Sequence, residues 1–171
     1  MRHAAITDPL TGLYNRGEIQ KRINNLANTG SLLMIDLDDF KHVNDRFGHQ
    51  AGDDVLTGLA DLLREILQAE SLKACAGRWG GEEFMILLPG TREEQAVLLA
   101  DKIRKRFAEI DFEKAGRQTM SIGVTQSIPG EDVDTLCMRA DSALYAAKGA
   151  GKNRIEVRRG NPKPLTPALP E

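Results

Sequence analysis

The sequence predicts an α+β fold in which helices pack against a β-sheet. Short apolar runs typical of strands are mixed with longer segments whose apolar residues recur at helical spacing. Two strand-like runs, around 72–79 and 84–88, are separated only by the glycine-containing segment 80–83, which predicts a β-hairpin. The 171 residues, 41% of them hydrophobic and 28% charged, suffice for one domain with a substantial core.

The first predicted elements are a structured turn and a helix. Pro9 fixes its own backbone and Gly12 permits unusual dihedral angles, so the segment 8–13 is interpreted as a structured turn. Asn15, followed three residues later by Glu18, indicates a helix start. We expect Gly30 to close this helical segment.

A buried strand and a long helix follow. The continuous apolar run 32–35 is typical of a strand covered on both faces, and it ends abruptly in a series of aspartates. A charged stretch comes next. Apolar residues at helical spacing then predict a long helix over about 52–68.

The part of the chain after the hairpin predicts two more helices and two more strands. Apolar residues recur at helical spacing over 96–107 and again over 136–147. Met120, Ile122 and Val124 alternate with smaller or polar residues, as in a half-buried strand. Ile155 and Val157 indicate a closing strand. The predicted order is therefore helix, strand, helix, hairpin, helix, strand, helix, strand.

The end of the chain differs in composition from the rest. Four of the seven prolines fall in residues 160–171, a segment too short and too rich in proline to fold by itself. We therefore predict a folded domain over 1–159 and a disordered tail or linker remnant over 160–171.

Charge and composition exclude several classes of function. Twenty-three Lys and Arg residues against 25 Asp and Glu residues give a formal net charge of -2, which argues against a nucleic acid polymer as partner. Cys75 and Cys137 match no metal or redox spacing, and we interpret them as a reduced pair. No apolar run approaches the ~20 residues that span a bilayer, and the N-terminus lacks the apolar core of a signal peptide. We therefore expect a cytoplasmic location and no membrane segment.

Two acidic clusters stand where predicted strands meet loops. Asp36, Asp38 and Asp39 end the first strand, and Glu82 and Glu83 occupy the hairpin tip. Mg²⁺ is commonly held by one or two carboxylates together with substrate phosphates, and these clusters offer such ligands. Acidic residues in hairpins are more often solvated turn residues, so the carboxylates alone leave both interpretations open.

Neighbouring residues favour a site for a triphosphate. Gly80 and Gly81 let a bulky ligand approach the backbone closely. Asn44 and Asp53 offer the amide and the carboxylate that can bind a guanine edge. The candidate phosphate-binding cations are Lys41, Lys148, Lys152 and Arg154. Taken singly, each cation is more often a solvated surface charge.

Four ordered blocks together resemble the GGDEF-domain diguanylate cyclases. The segment RWGGEEF at 78–84 is similar to the family signature in its GGEEF form, and DPLTGLYNR at 8–16 is similar to the opening motif. IDLDDFKHVND at 35–45, with the residues up to 53, resembles the central block. The closing helix of the family resembles the segment around 139–148. The resemblance covers about residues 6–158, in order and with compatible spacing.

The resemblance implies both a fold and a reaction. The fold would be a central, mainly antiparallel sheet flanked by helices, similar to ferredoxin-like folds, the polymerase palm and nucleotidyl cyclases. The reaction would be the condensation of two GTP molecules into cyclic di-GMP, with release of two pyrophosphates. It would use Mg²⁺ or Mn²⁺ and a transient homodimer in which two domains face each other.

The family's roles carry over to matched positions of this sequence. The implied metal ligands are Asp36 and Glu82 through their side chains and Leu37 through its carbonyl. The implied catalytic residues are Glu82, as proton acceptor from the 3′-hydroxyl, and Lys41, which stabilises charge on the phosphates. The implied substrate-binding residues are Asn44, His49, Asp53, Gly80, Gly81, Lys148 and Lys152. Lys152 stands where the family often has Arg, so the charge is kept and bidentate geometry is lost.

One feature of many family members is missing. Their Arg-x-x-Asp inhibitory site, which binds product upstream of the signature, corresponds here to Ser71 and Ala74, and neither residue can supply the charged contacts. Three alternatives stay open at the level of sequence. They are a weakly catalytic module that binds GTP or cyclic di-GMP, an enzyme making another cyclic nucleotide, and a structural dimerisation module.

Overall fold

The structure is a computed structural model that describes residues 5–26, 29–70 and 73–161. In these ranges the helices are α1 (Arg16–Asn24), α2 (Phe40–Phe47), α3 (His49–Ala69), α4 (Glu93–Ala108) and α5 (Val133–Gly149). The strands are β1 (Gly30–Leu37), β2 (Cys75–Arg78), β3 (Glu83–Pro89), β4 (Met120–Gln126) and β5 (Ile155–Val157).

The strands form one sheet in the order β2-β3-β1-β4-β5. All neighbouring strands are antiparallel except β4 and β5, which are parallel. The predicted α+β class, its mainly antiparallel sheet and the hairpin are confirmed. Because β1 lies in the middle of the sheet, Asp36 at its end stands directly across from Glu83 on β3 and Ser121 on β4.

Helices cover both faces of the sheet. Apolar residues of α2, α3 and α4 form one buried cluster with side chains such as Leu33 and Ile35 of β1, whereas α1 and α5 form a second cluster with Leu32 and Met34. Every residue of β1 is buried, as the apolar run predicted. This central position makes the end of β1 a rigid location for polar groups.

The half-buried β4 of the sequence prediction is wrong. Residues 120–125 are buried without interruption, including Ser121 and Thr125, because helices cover both faces of the strand. At Gly123, α5 lies directly against the strand backbone: a Cβ there would overlap the Ala140 carbonyl oxygen and the Leu144 amide nitrogen. Small and hydroxyl side chains on this face mimicked the polar alternation of an exposed surface.

The start of α1 is confirmed and its expected end is not. The Asn15 side chain caps the helix by accepting a hydrogen bond of 2.9 Å from the Glu18 amide. However, the helix stops at Asn24, and Gly30 opens β1 instead of closing the helix. Gly30 is needed there because a Cβ would lie 2.9 Å from the Leu88 carbonyl oxygen.

The charged stretch after β1 is itself a helix, α2, and the long helix α3 starts at His49, before the predicted start near residue 52. Phe40 and Val43 are the buried residues of α2, so its apolar stripe was too short to be recognised. Gly48, with φ of +91°, separates α2 from α3. The two helices meet where the Asn44 side chain lies over Gly52.

Several sequence predictions fall outside or at the limits of the described residues. Ser71, residues 1–4 and residues 162–171 of the predicted tail lie outside them. Cys75 and Cys137 are both free thiols. Across the three described ranges, every helix is too short or too polar to cross a membrane.

Candidate active site

The two acidic clusters of the sequence come together at one end of the sheet. Asp36 stands opposite Glu83 in the β1–β3 register, and the Leu37 amide donates a hydrogen bond of 3.2 Å to the Glu82 carbonyl. The hairpin between β2 and β3 is thereby fastened to the end of β1. Residues 46 positions apart in sequence thus form one carboxylate cluster, defined here as Asp36, Glu82 and Glu83.

Asp36 carries a buried oxygen without a hydrogen bond. The residue is 9% exposed, and its Oδ1 accepts no hydrogen bond from the described residues. The Lys148 ammonium lies 3.3 Å from this oxygen as an ion pair. Burial raises the pKa of Asp36, the Lys148 charge opposes that rise, and the neighbouring Asp38 adds to it. The Lys148 charge offsets part of the cost of burying this carboxylate, and the oxygen keeps acceptor capacity for a further ligand.

The two glutamates of the cluster share this electrostatic situation. Burial raises the pKa of Glu82, and the nearby charge of Asp36 raises it further. Burial likewise raises the pKa of Glu83, with contributions from Asp36 and Asp141. Three carboxyls are therefore gathered where partial burial weakens the screening of their charges by water.

Asp38 belongs to the same sequence motif but has different surroundings. Its Oδ1 accepts a hydrogen bond of 2.6 Å from the Ser121 hydroxyl. Its Oδ2 accepts hydrogen bonds from the Thr119 hydroxyl at 2.7 Å and from the Asn153 backbone amide at 2.9 Å. The Lys148 ammonium lies 3.6 Å from Oδ1. Sequence reasoning placed Asp38 in the acidic cluster and assigned it no structural role.

Two lysines at and just after the end of α5 reach the same region. Lys148 in the last turn of α5 lies between Asp36 and Asp38, and the Lys152 ammonium donates a hydrogen bond of 2.6 Å to Asp39 Oδ1. That contact holds the pKa of Asp39 below its ordinary value. Asp39, Lys152 and Asn153 all have positive φ, of 54°, 63° and 47°. Such conformations cost about 1–3 kcal/mol each and cluster at functional sites.

The predicted structured turn supports the hairpin. Asp8 Oδ2 accepts hydrogen bonds from the amide and hydroxyl of Thr11, at 2.9 and 2.8 Å, and Asp8 also pairs with Arg78 at 3.3 Å. Arg78 in turn donates to the Gly81 carbonyl at 2.8 Å. Burial opposes but does not outweigh these contacts, which lower the pKa of Asp8. Sequence reasoning missed this link; the Asp8 and Thr11 spacing was its only sequence signal.

The hairpin tip is open to a ligand. A Cβ at Gly81 would meet nothing within 4 Å, and a Cβ at Gly80 would meet only the Glu83 side chain, at 3.2 Å or beyond. Neither glycine has the positive φ that favours glycine. The fold itself therefore does not require glycine at 81, which agrees with a requirement for close ligand approach.

The predicted guanine-binding residues lie on α2 and α3. The Asn44 side chain fits over Gly52, because a Cβ at that position would overlap Asn44 Oδ1, and Asp53 follows next along α3. Asn44 and Asp53 are half-buried, whereas Lys41 and His49 are exposed. Within the described ranges, the side chains of Lys41, Asn44 and His49 make no hydrogen bond or ion pair. The structure thus places Asn44 against Gly52, the residue before Asp53, and leaves Lys41 and His49 exposed.

Ala74, one of the two positions that correspond to the family's inhibitory site, lies at a separate cavity. Ala74 lines a cavity of about 550 Å³ with residues from the N-terminal turn, α3 and β2, among them Tyr14, Arg64 and Gln68. No residue of the carboxylate cluster lines this cavity. Ser71 lies outside the described residues.

The family assignment follows from a sequence profile. The profile described as "Diguanylate cyclase, GGDEF domain" matches residues 5–154, which is most of the chain. The chain belongs to the GGDEF domain family of diguanylate cyclases, and the predicted membership is confirmed.

Individual relatives agree with this assignment. Diguanylate cyclase DgcM of Escherichia coli is 42% identical over 162 residues, which cover 91% of this chain and 39% of DgcM. The GGDEF domain of DgcB from Caulobacter crescentus, solved in complex with c-di-GMP, is similar with a TM-score of 0.84 and 31% identity, covering 92% of this chain and 98% of that one. The active GGEEF domain of a diguanylate cyclase from Vibrio cholerae is similar with a TM-score of 0.73 and 40% identity. The match covers 83% of this chain and 90% of that one. The chain spans about a quarter to two fifths of the curated relatives it matches.

Proposed function

We propose that this chain is a diguanylate cyclase domain that condenses two GTP molecules into cyclic di-GMP and releases two pyrophosphates. The observation that carries the proposal is the buried Asp36 oxygen that accepts no hydrogen bond, at the end of β1 to which the Glu82 backbone is fastened by the Leu37 amide. A merely structural carboxylate would be satisfied, as Asp38 is. Membership of a family of diguanylate cyclases supports the same activity.

The residues present fit a divalent cation, which enzymes of this family generally use. Asp36 and Glu82 would hold it through their carboxylates and Leu37 through its carbonyl. Mg²⁺ or Mn²⁺ bound there would neutralise charge on the triphosphate and favour displacement at the α-phosphorus. In the described part of the chain, no group of three or more His, Cys, Asp or Glu side chains is arranged as a metal site. Two carboxylates with substrate phosphates as further ligands are typical of Mg²⁺.

Glu82 is the proposed proton acceptor for the attacking 3′-hydroxyl. Burial and the adjacent Asp36 raise its pKa, which moves the carboxylate toward the basicity that general-base catalysis needs. The Lys148 and Lys152 ammonium groups lie beside the aspartates at the end of β1, and we assign them to the terminal phosphates. Lys41, in the first turn of α2, is exposed and is assigned to the phosphates during transfer.

The nucleoside is assigned to α2 and α3. Asn44 and Asp53 are proposed to bind the guanine edge, His49 at the start of α3 to contact the substrate, and Gly80 and Gly81 to let it approach the hairpin. Gly52 is the feature that permits this arrangement, because any side chain there would displace Asn44. A donor and an acceptor side by side discriminate guanine from adenine by hydrogen bonding.

The product requires two copies of the domain. Cyclic di-GMP contains two nucleotides joined by reciprocal 3′-to-5′ linkages, and each domain offers one carboxylate cluster. Each of two facing domains would therefore place the 3′-hydroxyl of its GTP against the α-phosphate of the GTP held by the other domain. We propose a transient homodimer.

Activity per mole should then fall as the isolated chain is diluted. Joining two copies should raise the local concentration to ~mM and restore the activity. Constant specific activity down to nanomolar protein would contradict an encounter-limited dimer.

The direct test is incubation with GTP and Mg²⁺, followed by chromatographic separation of the products. We expect cyclic di-GMP and pyrophosphate in a ratio of one to two. ATP in place of GTP should give no comparable product. Binding of GTP without turnover at high protein concentration would instead identify a binding module, and turnover of ATP as readily as GTP would overturn the guanine assignment.

A further inference from the structure

We propose that Asp38 is a positioning residue that holds Lys148 and the turn containing Lys152 toward the triphosphate of the nucleotide. The proposal rests on the proposed function, since it concerns the same site. Asp38 is 4% exposed and contacts three separate segments of the chain: the start of β4, the end of α5 and the turn after α5.

Asp38 is committed to contacts within the protein. Its Oδ1 accepts a hydrogen bond from Ser121 at 2.6 Å and lies 3.6 Å from the Lys148 ammonium as an ion pair, and its Oδ2 accepts hydrogen bonds from the Thr119 hydroxyl at 2.7 Å and the Asn153 backbone amide at 2.9 Å. The two donors fill the roughly two lone-pair sites of Oδ2. Asp36, two residues earlier and still on β1, differs, because its Oδ1 is buried and accepts no hydrogen bond.

The turn that Asp38 holds is conformationally unfavourable. Lys152 and Asn153 are consecutive non-glycine residues with φ of 63° and 47°. Such a turn persists only when its surroundings over-determine it. Asp38 binds the Asn153 amide from one side, and Arg104 of α4 donates to Asn153 Oδ1 at 2.9 Å from the other. The Lys152 amide completes the arrangement by donating to the Ala147 carbonyl at 3.1 Å.

Asp38 thereby positions Lys148 and Lys152 in different ways. It contributes part of the negative charge that draws the Lys148 ammonium to the end of β1, and it fixes the backbone from which Lys152 extends. The other part of the charge at Lys148 comes from Asp36, at 3.3 Å. Without Asp38, we infer that both lysines would remain in the chain but sample more positions, so that binding would lose the phosphate contribution and keep the guanine contribution.

The test compares two nucleotides on the same variant. In Asp38→Asn one carboxylate oxygen is replaced by an NH2 group, which cannot accept a hydrogen bond from the donors around it. The negative charge opposite Lys148 is lost as well. We expect a non-hydrolysable GTP analogue, at fixed Mg²⁺, to bind about tenfold more weakly than to the wild type, a change typical of losing a charged hydrogen bond. GMP, which lacks the terminal phosphates, should bind with unchanged affinity. An equal loss for both nucleotides, or no loss for either, would overturn the proposal.

A second variant keeps the proposal testable if Asp38→Asn does not fold. Arg104→Ala removes the other anchor of the turn at the protein surface and should weaken binding of the GTP analogue, by less than tenfold, with GMP unaffected. Arg106→Ala is the matched control: it lies on the same helix and pairs with Glu65, away from the turn. If Arg104→Ala and Arg106→Ala bind the analogue equally well, the turn is not held for phosphate binding. If the wild type binds no GTP analogue, the proposed function itself fails.

Discussion

The two ends of the proposed nucleotide site are built differently. At the phosphate end, strand pairing, a hairpin and a strained turn hold the side chains, and Asp38 alone accepts three hydrogen bonds. At the nucleoside end, Lys41 and His49 are exposed, and in the described residues the Asn44 side chain is held by shape, through its contact with Gly52.

The difference separates two kinds of cost. At the phosphate end, like charges are held together and conformational strain is maintained before any substrate arrives, which is the preorganisation that electrostatic catalysis requires. At the nucleoside end there is little strain and few contacts, so its residues contribute to binding and hardly to folding. Substitutions at the first end should therefore change chemistry and stability together, whereas substitutions at the second should change affinity alone.

The largest effect is expected for Glu82→Gln. The change preserves size and removes the proposed proton acceptor and a metal ligand, so turnover should fall by at least about a hundredfold. The melting temperature should not fall, because a repelling charge next to Asp36 is removed as well. Cyclic di-GMP synthesis and thermal unfolding would be measured on the same preparation, with Glu113→Gln, an exposed glutamate, as the matched control. Near-wild-type synthesis by the folded variant would refute the assigned role.

The nucleoside end should give a smaller effect, confined to binding. Asn44→Ala and Asp53→Ala should raise the KM for GTP about tenfold, because a polar edge left unpaired costs about 1–3 kcal/mol. Gly52→Ala should behave similarly with Asn44 still present, since the added Cβ would displace that side chain. Asp54→Ala, the exposed neighbour on α3, serves as control. A fall in melting temperature for Asn44→Ala without a change in KM would erase the contrast between the two ends.

A still smaller effect concerns stability and pH. Burial and Asp36 raise the pKa of Glu82 from its ordinary value of 4.5. The folded protein therefore holds this proton more tightly than the unfolded chain, and this group's contribution to stability is lost as pH rises through the raised value. Glu82→Gln lacks this loss. The free energy of unfolding of the variant, minus that of the wild type, should grow as pH rises above 4.5 in denaturant titrations without metal. A difference independent of pH would contradict the raised pKa.

The smallest effect is an expected absence. Because Ser71 and Ala74 replace the charged pair of the inhibitory site, any inhibition by cyclic di-GMP should be competitive with GTP. Initial rates over a matrix of GTP and product concentrations would establish the mode. Noncompetitive inhibition would show that product binds elsewhere, and the cavity lined by Ala74 and Arg64 would then be the place to test.

The sequence predicted most elements of the fold because long apolar periodicities outweigh local detail. It failed where that signal was short or ambiguous. The two-turn helix α2 has only Phe40 and Val43 buried, and β4 alternates apolar residues with small ones that are also buried. Gly30 was assigned to a helix end because a glycine fits that position as well as it fits a strand packed closely on its neighbour.

The candidate site was predictable only in part. The residues of the carboxylate cluster could be named from their position at strand ends, and their convergence follows from the strand order. The distinction between Asp36 and Asp38 could not be predicted, because it depends on Thr119, Ser121 and Asn153, which are far away in sequence. The role of Asp8 in supporting Arg78 was hidden for the same reason. The hydrogen-bond donors around each carboxylate, more than the residue type, distinguish Asp38 from Asp36.

The close packing at Gly123 has a consequence for how this chain can evolve. Because α5 touches the strand backbone there, the height of the helix above the sheet is set by a missing side chain. The distance of α5 from the sheet therefore also sets how closely Lys148, in the last turn of the helix, approaches Asp36. Any residue with a Cβ at 123 would lift the helix and carry the ammonium away with it. Substitutions along α5 and β4 are thus not independent, and a position with no chemistry of its own limits the changes that the residues of the proposed site can accept.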